Sequence, residues 1–436
     1  MSAASMAAWP RRIALALAGA TLAWRIVCSG LAEHYAGQAN PAAALAWQPG
    51  HPKALRELAA QAESRDPAQA EALLARAWRG DPTDGRTLIR LAGLWRRQGQ
   101  AERADRACEL AERLFPADAP LHMQAAQYWL AAGNPQKTLQ NWNLAMQISP
   151  EKAPPLFPML LKLANDPAGP ALLAPVAATA PAWWHLFFAY AADNAARVET
   201  LRALYSLRKG PGQDETGAYL ARLMREGLWA EAYLAWINAL RPDQQPALGY
   251  LFDGSFELGE FQGDFDWSAT TAKAVHVGTN YTLGVVGKKA LHIGLKGKDL
   301  PQSIVEQTVF LLPGRYRLTG MARPDALQAA AGLEWVLECV SGGVRLAASE
   351  RFLGSDMWRK FAVDFKVPGD ACAGVRLRLQ PVAHPAGGQE ARGELWFDDF
   401  AIELAEGAAA EIPDGGAADK DVYQTQGKNR KGQRSR

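Results

Sequence analysis

The hydrophobic pattern changes period twice along this chain. After Arg11 and Arg12, "IALALAGATLAW" (13–24) is a run of uncharged, mostly apolar residues. That length matches a signal-peptide core. Extended through Ala32 the run reaches spanning length, with Arg25 inside it. From about 40 to 245, apolar and small side chains recur at helical spacing. From Leu251 the period drops to two, in short runs punctuated by Gly and Pro. The pattern predicts a multidomain chain: an N-terminal membrane segment, a helical region, then an all-β antiparallel sandwich.

The helical region is locked to a period of 34 residues. Pro82, Pro116 and Pro150 mark it. Twelve residues before each stand Ala70, Ala104 and Thr138; eight before, Leu74, Cys108 and Trp142; five before, Ala77, Ala111 and Ala145. Gly99 and Gly133 keep the same spacing. One period held at five positions is a repeat architecture. Small residues let two helices approach, Leu91 and Trp95 fill the space between them, the glycine turns the chain, and the proline stops the second helix. "LIRLAGLWRRQGQAERADRACELAERLFP" (88–116) and "HMQAAQYWLAAGNPQKTLQNWNLAMQISP" (122–150) resemble the tetratricopeptide repeat. Residues 51–84 fit its second helix better than its first, and 219–242 repeats it with Gly227, Ala232, Trp236 and Ala239. The resemblance implies a right-handed solenoid over 40–245 with a concave surface for protein partners. Arg86, Arg90 and Arg97 share a helix face there, which reads as a solvated face or as a groove for an acidic peptide or anionic polymer. Trp184, Phe187 and Phe188 of "PAWWHLFFAY" read as inter-repeat core.

In the second half, "GLEWVLECV" (332–340) sends Leu333, Trp335, Leu337 and Cys339 inward and Glu334 and Glu338 outward. "WRKFAVDFKVPGD" (358–370) does the same with Phe361, Val363, Phe365 and Val367, with Trp358 assigned to the core beside Trp335. "GVRLRLQPV" (374–382) points Val375, Leu377 and Leu379 inward. "FDGSFE" (252–257), "PGRYRLTGMAR", "MWRKFAVDFKVP" and "WFDDFAIEL" follow in an order that resembles the galactose-binding-like jelly roll of many carbohydrate-binding modules. The resemblance covers about 250–405, and the sandwich domain is set at 247–406.

In "GELWFDDFAIEL" (393–404), Leu395 and Phe397 alternate in one phase, and Phe400, Ile402 and Leu404 in the other. One inserted residue, a β-bulge at Asp398–Asp399, produces such a slip. In the resembling modules the first and last strands lie together and often enclose a structural calcium. Carried over, Glu257, Asp398 and Asp399 are the candidate carboxylate ligands; the other reading is a solvated edge bulge. Sugar recognition asks for aromatic platforms and planar polar groups. Trp267, Tyr281 and Trp396 are the candidate platforms, with Arg376 and Arg378 as hydrogen-bonding partners. "VAHPAGGQEARG" (382–393) reads as a lip over such a site.

Composition trims the function classes. Hydrophobic residues make up 49% and charged residues 21%, with net charge +2, too small a field to expect nucleic acid as partner. There is no GxSxG, HExxH, Rossmann fingerprint or zinc spacing, and "GVVGKKA" (284–290) lacks the first glycine and the hydroxyl residue of a phosphate loop. The expectation is a protein that is not an enzyme. Of four cysteines, Cys108 falls in helix packing, and Cys339 and Cys372 flank strands. Export would favour a disulfide between those two; two free buried thiols is the other reading. Residues 1–10 are read as cytoplasmic, 11–32 as an inner-membrane anchor or a cleaved signal peptide, and the bulk as periplasmic or, after cleavage, secreted. Residues 407–436 are read as disordered. The plan resembles accessory proteins of bacterial exopolysaccharide production. It implies an anchored adaptor whose solenoid holds proteins and whose sandwich holds polysaccharide, or else a scaffold whose sandwich binds no sugar.

Overall fold

The computed structural model describes residues 3–369, 372–383 and 390–405, with side chains from residue 13 onward. The tail beyond Ala405 and residues 384–389 of the expected lip lie outside the described residues. Fourteen α-helices come first among them: α1 (Ala3–Gly37), α2 (Pro41–Trp47), α3 (Pro52–Ala62), α4 (Pro67–Gly80), α5 (Gly85–Arg97), α6 (Ala101–Leu114), α7 (Ala119–Ala131), α8 (Pro135–Ile148), α9 (Phe157–Ala164), α10 (Gly169–Thr179), α11 (Trp184–Asn194), α12 (Val198–Ser206), α13 (Gln213–Arg225) and α14 (Trp229–Ala239). The chain divides into two compact units, and the division falls inside α11, between Phe187 and Phe188. The sequence-based boundary near 246 falls within the second unit.

In the first unit the period of 34 becomes helix pairs. Ala70, Leu74 and Ala77 on α4, Ala104, Cys108 and Ala111 on α6, and Thr138, Trp142 and Ala145 on α8 are all buried. Asp66, Asp118 and Asn134 cap the helices that follow them by accepting a backbone N–H, which satisfies donors the helix leaves free. Gly99 and Gly133 take positive φ (81° and 72°) in the turns within pairs. Helix α1 contains a 25-residue stretch, Ile13–Gly37, long and apolar enough to cross a membrane. Its Leu15, Leu17, Leu22, Trp24 and Ile26 side chains are exposed.

The second unit ends in ten strands: β1 (Ser268–Ala269), β2 (Val275–Tyr281), β3 (Lys289–Asp299), β4 (Val305–Val309), β5 (Gly314–Ala329), β6 (Leu333–Cys339), β7 (Arg345–Ala348), β8 (Arg359–Val367), β9 (Val375–Pro381) and β10 (Glu390–Leu404). They form two five-stranded antiparallel sheets. Sheet A has the order β1-β4-β9-β6-β7, and sheet B the order β2-β3-β10-β5-β8. The inward residues of both make one core around Trp267, Trp335, Phe256, Phe352, Phe361, Phe397 and Phe400. Cys339 and Cys372 are joined by a disulfide.

The phase slip is a bulge. Asp398 pairs with Met321 and Ala401 with Thr319, so two residues of β10 face Gly320 alone. Asp399 takes φ +53°, and both Phe397 and Phe400 reach the core. A side chain at Gly320 would begin 2.6 Å from Phe400 Cδ1, so glycine makes the room. "FDGSFE" lies against the same point: Phe400 N donates to Gly254 O at 2.9 Å, and a side chain at Gly254 would begin 1.9 Å from Phe400 O.

Candidate functional site

The outer face of sheet B carries its functional groups in rows. Alternation on β3 sends Leu291, Ile293 and Leu295 into the core and so turns His292 and Gly294 outward. Register places His292 between Gly278 of β2 and Trp396 of β10, and Trp396 beside Arg323 of β5. The imidazole stacks on Trp396, ring centroids 4.0 Å apart and planes 24° apart. On the far side the Arg323 guanidinium lies 4.8 Å from the Trp396 ring and 5.2 Å from that of Trp358. His292, Trp396, Arg323 and Trp358 therefore make one stack across the sheet.

That stack holds unmet hydrogen-bonding groups. Trp396 is only 9% exposed, yet its Nε1 has no partner, nor do His292 Nε2 and Arg323 Nε. A buried polar group left without a partner costs about 1–3 kcal/mol, and these three nitrogens are closed to solvent, so an acceptor reaches them only if the stack shifts. His292 Nδ1 lies 2.8 Å from Asn280 Nδ2. The amide donates, so Nδ1 accepts and Nε2 carries the hydrogen. Glu394 Oε2 sits 3.2 Å from Nε2 but off the hydrogen-bond direction. Burial holds the imidazole below its ordinary pKa, against the opposing pull of Glu394, so it is neutral at pH 7.

Beside the stack runs a trough. Gly278 and Gly294 lie on this face in ordinary extended backbone, and a side chain at either would meet nothing nearer than 3.9 Å. Packing does not require glycine at these positions; the space the missing side chains leave is bordered by His276, the nearest group to both. The loop between β2 and β3 forms a wall. Trp358 Nε1 donates to Leu283 O at 3.0 Å, Val286 N to Asp398 Oδ2 at 2.6 Å, and Lys288 N and Lys289 N to Glu257 Oε1 at 2.6 and 2.8 Å. Tyr281, Leu283 and Met357 are exposed.

The structure redistributes the expected sugar-binding residues. Trp396 and Tyr281 belong to sheet B, as described. Trp267 does not serve as a platform: it is 1% exposed and its Nε1 donates to Asp253 O at 3.2 Å. Arg376 and Arg378 lie on sheet A, in the opposite layer from Trp396, in a charge ladder. Arg378 is 3.0 Å from Glu338, and Arg376 is 3.8 Å from both Glu306 and Glu338. Trp358, assigned to the core, faces outward instead. The alternation that buries Phe361 already placed it there, and the same count on β3 marks His292; only Arg323 needed the register between strands.

Glu257 and Asp398 do meet, as clasps of one loop, while Asp399 supplies the bulge. Asp398 Oδ1 is buried without a partner. Burial, with backing from the charges of Asp399 and Glu257, pushes the Asp398 carboxyl up to about 6. Among the described residues no group of three or more His, Cys, Asp or Glu side chains is placed to hold a metal. Any hard cation here would draw its remaining oxygens from backbone carbonyls.

In the first unit, Arg86 and Arg90 line a depression of about 230 Å³ with Lys53, Arg56, Glu57 and Gln124. Arg90 donates to Arg56 O at 2.8 Å, and Arg56 pairs with Asp84. Arg86 also lies 3.6 Å from Asp118, and Arg97 pairs with Glu63 and takes no part in that lining. A cavity of about 440 Å³ in the second unit lies between α13–α14 and sheet A, lined by Arg225, Trp229, Asp264, Asp266, Glu306 and Arg376 among others. Its guanidinium groups are engaged by Asp193 and by the sheet A ladder.

No protein-family model matches the chain, and no curated protein does. Solved structures similar to it include a CBM4 module, at 13% identity and TM-score 0.27, covering 36% of this chain and 99% of that one. The CBM22-1 xylan-binding domain of Paenibacillus barcinonensis Xyn10C stands at 18% and 0.24, covering 35% and 91%. TmCBM61, solved with β-1,4-galactotriose, stands at 18% and 0.25, covering 36% and 99%. With TM-scores this low, the fold rests on the strand order and core described above.

Proposed function

We propose that this chain is a non-enzymatic, membrane-anchored adaptor for polysaccharide assembly or export, and that its sandwich binds a glycan chain along the outer face of sheet B. The observation that carries the reading is the stack of His292, Trp396, Arg323 and Trp358 beside a glycine-floored trough. It sets the half-exposed Trp358 ring and the Arg323 guanidinium, held between two indoles, beside a stretch of strand without side chains. Sugar rings present C–H faces and hydroxyl acceptors to such surfaces. The helix pairs of the first unit would hold protein partners, and the basic depression around Arg86 and Arg90 favours an acidic one. If the trough holds no sugar, that depression leaves the scaffold reading as the alternative.

The test is a substitution that fills the trough without touching the core. Gly294→Val adds a strand-favouring side chain where nothing stands within 3.9 Å. The full-length variant should unfold at or above the wild-type midpoint and lose glycan retention in affinity electrophoresis. Retention equal to wild type across a glycan panel would remove sheet B as the binding face.

A further inference from the structure

Among the described residues, Arg315, Lys360 and Lys366 on the outer face of sheet B form no ion pair and stand exposed, whereas Arg323 forms none while half-buried between two rings. Asp364 is taken by Arg317, at 2.6 Å. Glu394 lies 3.2 Å from the neutral His292 ring, and Asp398 receives the Val286 amide. Arg359, at the start of β8 on the parity of Phe361, is held by Glu350 and Asp356 away from this face. Asp325 lies two pairs beyond Arg323 on β5, opposite Glu394, and forms no ion pair with that arginine. Among the described residues no carboxylate pairs with Arg323, although its guanidinium is clamped between two indoles and its Nε is buried. An arginine is weakly hydrated and stacks on aromatic faces, so the clamp fixes its plane while leaving donor edges free. A planar fork held this way matches a planar carboxylate through two parallel hydrogen bonds.

We infer that Arg323 reads a carboxylate on the bound sugar, which makes the glycan a uronic-acid-containing polysaccharide. This inference rests on sheet B being the glycan face. Trp396 and Trp358 would flank the acidic residue, and the trough at Gly278 and Gly294 would take the neighbouring sugar. A neutral glycan would leave the guanidinium uncompensated, so selectivity comes from the missing partner as much as from the stack.

The test uses the full-length protein in detergent, with polygalacturonate and alginate, the same polymers after carboxyl reduction, and dextran sulfate. The expected result is that both acidic polymers bind about 10- to 100-fold more tightly than their reduced forms, the span of a charge-assisted hydrogen bond. That ratio should weaken with salt and collapse in Arg323→Gln. Arg323→Lys, which keeps the charge but not the fork, should retain only part of it and decides the matter if the glutamine variant fails to fold. Arg315→Gln, exposed elsewhere on β5, should keep the ratio. Equal binding of acidic and reduced polymers, or a ratio preserved in Arg323→Gln, overturns the inference and leaves the sheet B site standing. Dextran sulfate binding as tightly as the uronates overturns the carboxylate assignment in favour of bulk charge. Binding of none of these polymers removes both the inference and the glycan-binding function it rests on.

Discussion

At the residue scale, parity along a strand proved readable and layer did not. Alternation says whether a side chain faces in or out; it cannot say which of two sheets an outward residue belongs to. Trp396 was correctly turned outward, but Arg376 and Arg378, outward on β9, decorate the opposite layer. Trp267 precedes the two-residue strand β1, where there is too little alternation to read, and it proved to be core. The bulge at Asp398–Asp399 was legible because a slip of phase has few other causes. Its energetics were not. Asp398 is wholly buried with its carboxyl raised to about 6. For a carboxyl raised on folding, the native state binds the extra proton between the unfolded pKa near 4 and about 6. Stability therefore falls as pH climbs through that window and stays reduced above it. In chelator, Asp398→Asn should raise the thermal midpoint at pH 8, where the charge is uncompensated, and change it little at pH 4. Its side-chain oxygen can still accept from Val286. Calcium, if it is held between Asp398 and Glu257, should raise the wild-type midpoint and leave the variant unmoved. An unchanged wild type would end the calcium expectation.

At the element scale, the last helix is built into the sandwich. Trp236 meets Phe252 edge-on at 5.0 Å, Tyr233 meets Phe265 at 5.3 Å and Phe310 at 5.6 Å, and Trp229 covers Gly374, where a side chain would begin 2.7 Å from its ring. The change of period near 246 marks where helix gives way to strand, and it was read as a domain boundary. Periodicity reports local geometry, whereas a boundary is set by which apolar faces cover each other. Since α14 exposes its aromatic side chains when the chain is cut at 247, a 247–406 fragment strips Phe252, Phe265 and Phe310 of their cover. Trp236→Ala in the full chain should cost about 3–5 kcal/mol by urea denaturation, the range for a buried large aromatic. It should act on the transition that reports the sandwich. A loss under 1 kcal/mol would mean that helix and sandwich are energetically separate.

At the scale of the whole molecule, two features far apart in sequence bear on one question, the compartment. Helix α1 exposes Leu15, Leu17, Leu22, Trp24 and Ile26 over a length that can span a bilayer, and such a surface is unfavourable in water by about 25 cal/mol per Å² of apolar area. The sandwich carries a disulfide across 33 residues of sequence, a bond that persists only where thiols are not kept reduced. Arg11 and Arg12 before the apolar run favour the orientation that places everything after it on the outer side. These are the features expected of the proposed anchor with an exported body, and a signal sequence would share them. Expressed in a bacterium with an oxidising periplasm, the chain should stay with membranes through alkaline carbonate and leave only with detergent. Protease added to spheroplasts should digest the sandwich. Under reductant, or with both Cys339→Ser and Cys372→Ser, the exported chain should lose about 2–4 kcal/mol of stability. A soluble chain resistant to external protease, with Cys339 and Cys372 both open to alkylation before reduction, would place the protein inside the cell. An outer-surface glycan would then be beyond its reach, whatever the chemistry of sheet B.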